Sequence, residues 1–305
     1  MKVFYEGKDI TDDIDVRKCL YTDVSGGRRD LMDIEIEYSE KWFGWQPDAD
    51  DRIRVTQGGL DTGELYVNAV LPEQGKYRII ATGAKSAARR RAFQSFEGKT
   101  LGAIMGLCAA ECGMSQGLYG ISAAIEYQYL LRENEEAAAF MDRLLIYEGG
   151  RLKCTNGKLR GIGIEYAQER PAGHEIEIDS RQMQAMYLRR EDMKWAGVTI
   201  RTPFAEASAY DSAAGGSNHP VITDLPVKDA AQAGRWARGL LMAHNRQAEE
   251  LTIGTELNAG LMALERIDIA SETNAGGNWI VDEATHDLIL MKSRARLLRC
   301  ITTIG

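Results

Sequence analysis

Four histidines, five cysteines and one acid in a glycine-rich stretch are the residues of this chain best suited to chemistry. The histidines, His174, His219, His244 and His286, are scattered, and no His-x-x-x-His or Cys-x-x-Cys pair supplies zinc spacing. Cys108 and Cys112 stand at i and i+4 of an expected helix, a spacing at which two thiolates can share a metal. Both also fall on the apolar stripe of that helix, where a thiol packs as a small hydrophobe, and that reading is preferred. Asp211, with Tyr210 and His219 in the stretch Ala209 to Pro220, is the acid most suggestive of acid–base work. A glycosidase needs two carboxylates at a set separation, which a sequence does not specify, so Asp211 also reads as a solvated acid in a flexible loop. His286 is expected to be a hydrogen-bonded structural histidine, and Trp236 and Trp279 to be core. Arg89, Arg90 and Arg91 lack the glycine-rich helix entry that cradles phosphate, so they read as a solvated linker or a docking patch for an acidic partner. No G-x-S-x-G elbow, P-loop or GxGxxG motif occurs. The chain is therefore not expected to be an enzyme: no catalytic residue, cofactor-binding residue or metal ligand is assigned, and no cofactor.

The elements around these residues contain a repeat. Asp51-Arg52-Ile53-Arg54-Val55, seven residues, then Gly63-Glu64-Leu65-Tyr66-Val67 recurs 214 positions later. The second copy is Glu265-Arg266-Ile267-Asp268-Ile269, seven residues, then Gly277-Asn278-Trp279-Ile280-Val281. Each copy reads as strand, glycine-containing turn, strand. A duplicated β-unit near each end predicts one small barrel or sandwich used twice.

Around the first copy, Val16 to Val24, the alternation Ile34, Ile36, Tyr38, and Tyr77 to Thr82 read as further strands. The segment Trp42 to Pro47 is aromatic and non-periodic, either a contact loop or a plug under the barrel. Thr100 is expected to cap a helix carrying Leu101, Ile104, Met105, Cys108 and Cys112 and ending at Gly113. A second helix is expected from Asn134, with Glu135 and Glu136 in its first turn and Phe140, Met141, Leu144 and Leu145 on its stripe. Asn156-Gly157 reads as a type I′ turn. Later come a strand from His174 to Asp179, one from Trp195 to Arg201, a helix from Asp229 to Gln247 and a final strand from Ala295 to Thr302. The reading is α+β, mainly β, with two small antiparallel β-barrels flanking an α+β unit. The expected domains are 1–92, 93–168 and 169–305, the last with an insertion at about 180–250.

Composition fits a folded chain, with 44% apolar and 27% charged residues. A net charge of −8 argues against a nucleic-acid-binding surface, which needs clustered Lys and Arg, but suits a channel to which nucleic acid does not stick. No apolar run is long enough for a signal peptide core at the start or for a membrane helix. The odd cysteine count fits a reducing compartment.

The order of segments resembles the phage late control D family, hub proteins of contractile tail baseplates, which includes tail-like bacteriocin versions and the hub part of type VI secretion spike proteins. The likeness rests on Asp51 to Val55 with its turn and Ala81-Thr82-Gly83, and on Phe96 to Leu101 entering a helix that closes at Cys112-Gly113-Met114. It continues through Asn134-Glu135-Glu136, Phe140 to Leu144, Glu148-Gly149-Gly150 and Asn156 to Leu159, and ends with Ala230 to Asn245 and Gly277 to His286. The resemblance implies a homotrimer whose duplicated barrels form a pseudo-six-fold ring. That ring would join a hexameric tail tube protein above to a trimeric spike below, in a virion tail or tail-like particle assembled in a host bacterium. It further implies a central channel and contact with tape measure protein and other baseplate proteins; the acidic balance would keep that channel from holding DNA, provided the acids face inward. A carboxylate-dependent cell-wall hydrolase and a monomeric two-barrel binding module are the alternative function classes.

Overall fold

The structure is a computed structural model that describes residues 1–37, 47–73, 75–177, 185–190, 193–270 and 274–305. The aromatic segment at 42–46, Tyr38 and the strand positions 178–179 lie outside these residues. In chain order the strands are β1 (Lys2–Tyr5), β2 (Lys8–Asp9), β3 (Val16–Val24), β4 (Leu31–Glu37), β5 (Arg52–Gln57), β6 (Leu60–Asp61), β7 (Leu65–Glu73) and β8 (Lys76–Thr82). Next come β9 (Arg91–Thr100), β10 (Ser115–Tyr119), β11 (Glu126–Glu136), β12 (Gly150–Thr155), β13 (Lys158–Gly163), β14 (His174–Glu177) and β15 (Ala185–Arg190). The last are β16 (Gly197–Arg201), β17 (Glu206–Tyr210), β18 (Val221–Ile222), β19 (Glu249–Glu256), β20 (Arg266–Ala270), β21 (Gly277–Asp287) and β22 (Lys292–Arg299). Among the described residues four α-helices accompany them: α1 (Leu101–Glu111), α2 (Ala137–Tyr147), α3 (Ile164–Glu169) and α4 (Ala230–Asn245).

One sheet of 14 strands contains the same strand order twice. The first run is β1-β5-β7-β8-β4-β3 and the second is β14-β20-β21-β22-β19-β15. The registers agree as well. Ile53 lies opposite Leu65, and Ile267 opposite Trp279. The row Val67–Ala81–Met32–Tyr21 corresponds to Val281–Leu297–Leu251–Leu188. Both runs carry a bulge at one position, between Val67 and Ala69 and between Val281 and Glu283. Even the rare left-handed backbone before the repeat recurs, with φ of 70° at Asp50 and 68° at Leu264. The two runs differ at one end, where β1 runs antiparallel to β5 but β14 runs parallel to β20.

Each run curls over its own apolar cluster, built on Met32, Ile34, Ile36, Val55 and Val67 in the first and on Ile253, Trp279, Val281 and Leu297 in the second. Period-two alternation produces this. Ile34 and Ile36 are fully buried while Glu35 and Glu37 point to the other face. The opposite face is polar, with both signs interleaved. Lys18 and Arg78 flank Asp33 at 2.7 and 2.8 Å, Lys76 meets Glu35 at 2.9 Å, and Arg189 and Arg296 flank Glu250 at 3.2 and 3.4 Å.

Two small antiparallel barrels were expected; among the described residues the sheet is open, with no closed barrel. The physical reason is that β3, the strand left to close the first run, is already taken. Its outer edge pairs with β21 of the second run.

Thr100 caps α1 as expected, its side chain accepting from the Ala103 amide. Gly113, at φ 67°, lets the chain leave that helix. Asn156 and Gly157, at φ 47° and 65°, form the predicted turn between β12 and β13. The second helix starts later than expected. Residues Asn134 to Glu136 continue β11, and Ala137 opens α2. Arg132 accounts for this: its buried guanidinium donates to the Glu135 and Arg90 carbonyls and to Glu111, holding the segment extended against β9.

The remaining strands and α4 form a third body of core. α4 lies against α2, with Trp236, Ala237 and Leu241 buried beside Phe140, Leu144 and Leu145. Gly239 makes this close approach possible, since a methyl group there would overlap the Ile146 and Tyr147 carbonyl oxygens. Gly239→Ala is expected to destabilise the protein by about 1–3 kcal/mol through overpacking. Helix propensity alone would favour the alanine by about 1 kcal/mol. Chemical denaturation of the two proteins decides between these signs.

Candidate functional site

The least ordinary chemistry in the molecule lies where the two runs of the sheet join. β21 pairs antiparallel with β3, setting Ala284 opposite Asp23, Thr285 opposite Thr22 and His286 opposite Tyr21. Ser25 extends the joint, donating its amide to the Asp282 carbonyl at 3.0 Å and its hydroxyl to Asp282 Oδ1 at 2.8 Å. Leu288 closes the other end by donating its amide to the Cys19 carbonyl at 2.9 Å.

Asp23 is inside the molecule because position 23 falls on the buried face of β3. Asp30, just before β4, is equally buried. Lys153, carried by the hairpin of β12 and β13, reaches both carboxylates, at 2.7 Å from Asp23 and 2.6 Å from Asp30, and donates to the Val24 carbonyl at 3.2 Å. The Tyr21 hydroxyl lies 3.2 Å from each aspartate. The other Asp23 oxygen accepts the Ala263 amide, just ahead of β20. One ammonium thus ties the first run of the sheet to the middle hairpin, and Asp23 extends the tie to the segment ahead of β20 in the second run.

Burial, and then the neighbouring Asp23, push the Asp30 carboxyl up to about 6. Burial opposes the Lys153 charge, but Asp30 and Asp23 outweigh it and raise its pKa. His286 sits in the same joint, accepting from Ser293 Oγ at 2.8 Å and donating to the Leu261 carbonyl at 3.1 Å. Burial lowers its pKa to about 4, against the Leu261 hydrogen bond, so the ring is neutral at pH 7. Its expected structural role stands. These groups are fully partnered, closely packed and shielded, so they hold position rather than offer a reacting atom.

The other residues singled out in the sequence do not converge. Asp211 is not a solvated loop acid. It is buried, bridged to the C-terminal residues, and accepts from Thr303 Oγ1 at 2.5 Å, the Ala213 amide at 3.0 Å and Asn245 Nδ2 at 2.8 Å. Burial pushes its pKa up, but these hydrogen bonds outweigh burial and hold it below the usual carboxylate range. His219 bonds Thr199 and His244 bonds the Met193 carbonyl, so neither joins Asp211. Cys108 and Cys112 are buried thiols, pushed by burial to about 12 and about 11. Among the described residues no group of three or more metal-ligating side chains occurs. Trp236 and Trp279 are core, their indole N–H groups donating to Glu148 and to the Ala275 carbonyl. Arg89, Arg90 and Arg91 are exposed.

The sequence reading missed Asp23, Asp30, Lys153 and Asp282. Its available signal was charge at inward positions: Lys153 lies between buried Leu152 and Cys154, and Asp23 continues the inward alternation of Cys19 and Tyr21.

No protein-family model matches the sequence, and no curated protein is significantly similar to it. Solved structures do match. The 43 kDa tail protein of prophage MuSo2 from Shewanella oneidensis gives a TM-score of 0.73 at 14% identity, over 98% of this chain and 97% of that one. The tail protein from Neisseria meningitidis MC58 gives 0.74 at 14% identity, over 98% and 95%. This chain has the fold of phage tail proteins. The E. coli c3393 protein, a type VI secretion component described as structurally similar to T4 tail proteins gp27 and gp5, gives 0.62 at 11% identity, over 99% and 77%. No helix among the described residues is long and apolar enough to cross a membrane.

Lys153→Met is expected to cost about 3–5 kcal/mol, because it leaves two buried carboxylates without a cation. The pH dependence has a defined sign. Asp30 has a raised folded pKa, so its contribution is complete below its ordinary value of 3.8 and is lost as pH rises through about 6. Removing Lys153 raises that pKa further. The gap in melting temperature between variant and wild type should therefore shrink as pH falls from 8 to 5. A gap that widens on acidification would contradict this account.

His286 works in the opposite sense. Its lowered folded pKa gives stability that is present above 6.5 and lost as pH falls through about 4. His286→Gln should flatten the acid limb of the stability curve between those values, measured by urea unfolding at stepped pH.

Proposed function

We propose that this chain is a structural hub of a phage tail or tail-like particle. Its trimeric ring would have a pseudo-six-fold face that joins a hexameric tail tube to a three-fold spike, around a channel for tape measure protein and DNA. The observation that carries this reading is the doubled six-strand run, matched in order, register and bulge, within a chain that has a phage tail protein fold. Three copies of a chain with two such units offer six units to a six-fold tube.

The reading keeps two curled β-units at residues 1–92 and 169–305 and an α+β unit at 93–168. Within the insertion at about 180–250, β15 joins the second run, while β16 to β18 and α4 pack on the middle unit and share its core. In this reading the polar face, with its mixed charges, lines the channel. With Lys18, Arg78 and Arg296 held against Asp33, Asp282 and Glu250, such a wall presents little net charge of either sign to a passing polyanion. The buried, hydrogen-bonded state of Asp211 favours a structural role over a hydrolase.

Light scattering on the purified full chain tests the assembly. A particle of about three times 33.8 kDa, with six lobes around a hole by negative-stain imaging, is expected. A monomer at all concentrations, with and without tube protein, would contradict the hub reading.

A further inference from the structure

The joint between the two runs is a template for a joint between two copies of the chain. β21 has two neighbours on one edge: β20 pairs its first part, and after the bulge β3 takes over. β7 is its counterpart. β5 pairs the first part of β7, through Tyr66 and Leu65, but beyond the bulge no described strand takes that edge. The counterpart of β3 is β15, which pairs with β19 on one side and with no described strand on the other. One copy therefore carries an open β7 edge and an open β15 edge, the two halves of the joint that β21 and β3 make internally.

We propose that β7 of one copy pairs antiparallel with β15 of the next, in the register of β21 with β3. This deepens the ring reading above and rests on it. Thr285 faces Thr22 in the internal joint, and the matched rows convert that pair into Leu71 facing Arg189. Val70 then faces Arg190, Pro72 faces Leu188 and Glu73 faces Tyr187.

A second observation comes from the bulge. Asp282 is satisfied across the internal joint by Ser25. Its counterpart, Asn68, has a buried Oδ1 with no hydrogen-bond partner among the described residues. The edges also expose apolar surface, with Leu71 at 42% and Tyr187 at 62% exposure. Pro72 limits the ladder. It has no N–H, so it offers the incoming strand only its carbonyl. A head-to-tail contact of this kind uses two different edges of each copy, so it propagates around a ring and leaves neither of these two edges open on closure.

Leu71 and Arg189 would form a non-hydrogen-bonded pair, the closest kind across an antiparallel ladder and within disulfide reach. Leu71→Cys and Arg189→Cys chains are co-expressed, each with a different tag, and oxidised. Each variant alone and the pair Val70→Cys with Arg189→Cys, which differ in face, serve as controls. A disulfide dimer carrying both tags, formed only by the Leu71 and Arg189 pair, is expected. Light scattering on the same samples separates the two ideas. A three-subunit ring without that disulfide overturns the register and leaves the hub reading in place. A monomer overturns both.

Discussion

Lys153 is the contact on which the architecture turns. Its ammonium occupies the meeting point of the first sheet run, the second run and the middle hairpin, and it is shielded from water. A buried ion pair of this kind adds little net stability compared with an apolar replacement, because desolvating three charges offsets most of their attraction. Its physical effect is directional. Any arrangement of the three parts that separates Lys153 from Asp23 and Asp30 strands charge in a low-dielectric interior, and such arrangements are excluded by several kcal/mol each, about the whole stability of a small domain. The apolar clusters under each run supply the stability, and the clamp selects the relative placement.

The clamp is present at one joint only. Arg190 stands at the position of Asp23 in the second run, facing Glu249 on the neighbouring strand at 3.5 Å. Two units that share strand order and bulge have thus diverged where they meet the rest of the chain. The internal joint is desolvated and charge-locked. The surface that would form the other joint keeps hydrated charge and exposed Leu71 and Tyr187. A covalently linked pair of strands meets at high effective concentration, whereas a pair on separate chains must find each other. Different chemistry at the two joints follows from that difference.

Much of this was legible in the residues. The alternation of Ile34 and Ile36 with Glu35 and Glu37, the Thr100 cap, the Asn156-Gly157 turn and the 214-residue offset each have a local cause, and each appears where its cause sits. What was not legible depends on partners distant in the chain. The start of α2 is set by Arg132 reaching Arg90 and Glu111, not by the first-turn acids. Asp211 is drawn out of solvent by Thr303 and Asn245, neither of which is near it in sequence. Among the described residues the first run does not close on itself, because β3 is engaged by a strand more than 250 residues later. Periodicity reports which face of a strand is apolar; it carries no information on which strand lies across the edge.

The proline at position 72 has a consequence for the chain in solution before any assembly. An open strand edge accepts any extended polypeptide, and a cell making many copies of one chain with two open edges risks fibrous precipitate. A proline in such an edge interrupts the row of donors, so backbone pairing alone is too short to hold a chance partner. Side-chain fit around Leu71 and Tyr187 must then supply the remaining affinity, and only a correctly registered neighbour provides it. In the proposed pairing, the missing N–H of Pro72 would shift selectivity on the β7 edge from the backbone to the side chains.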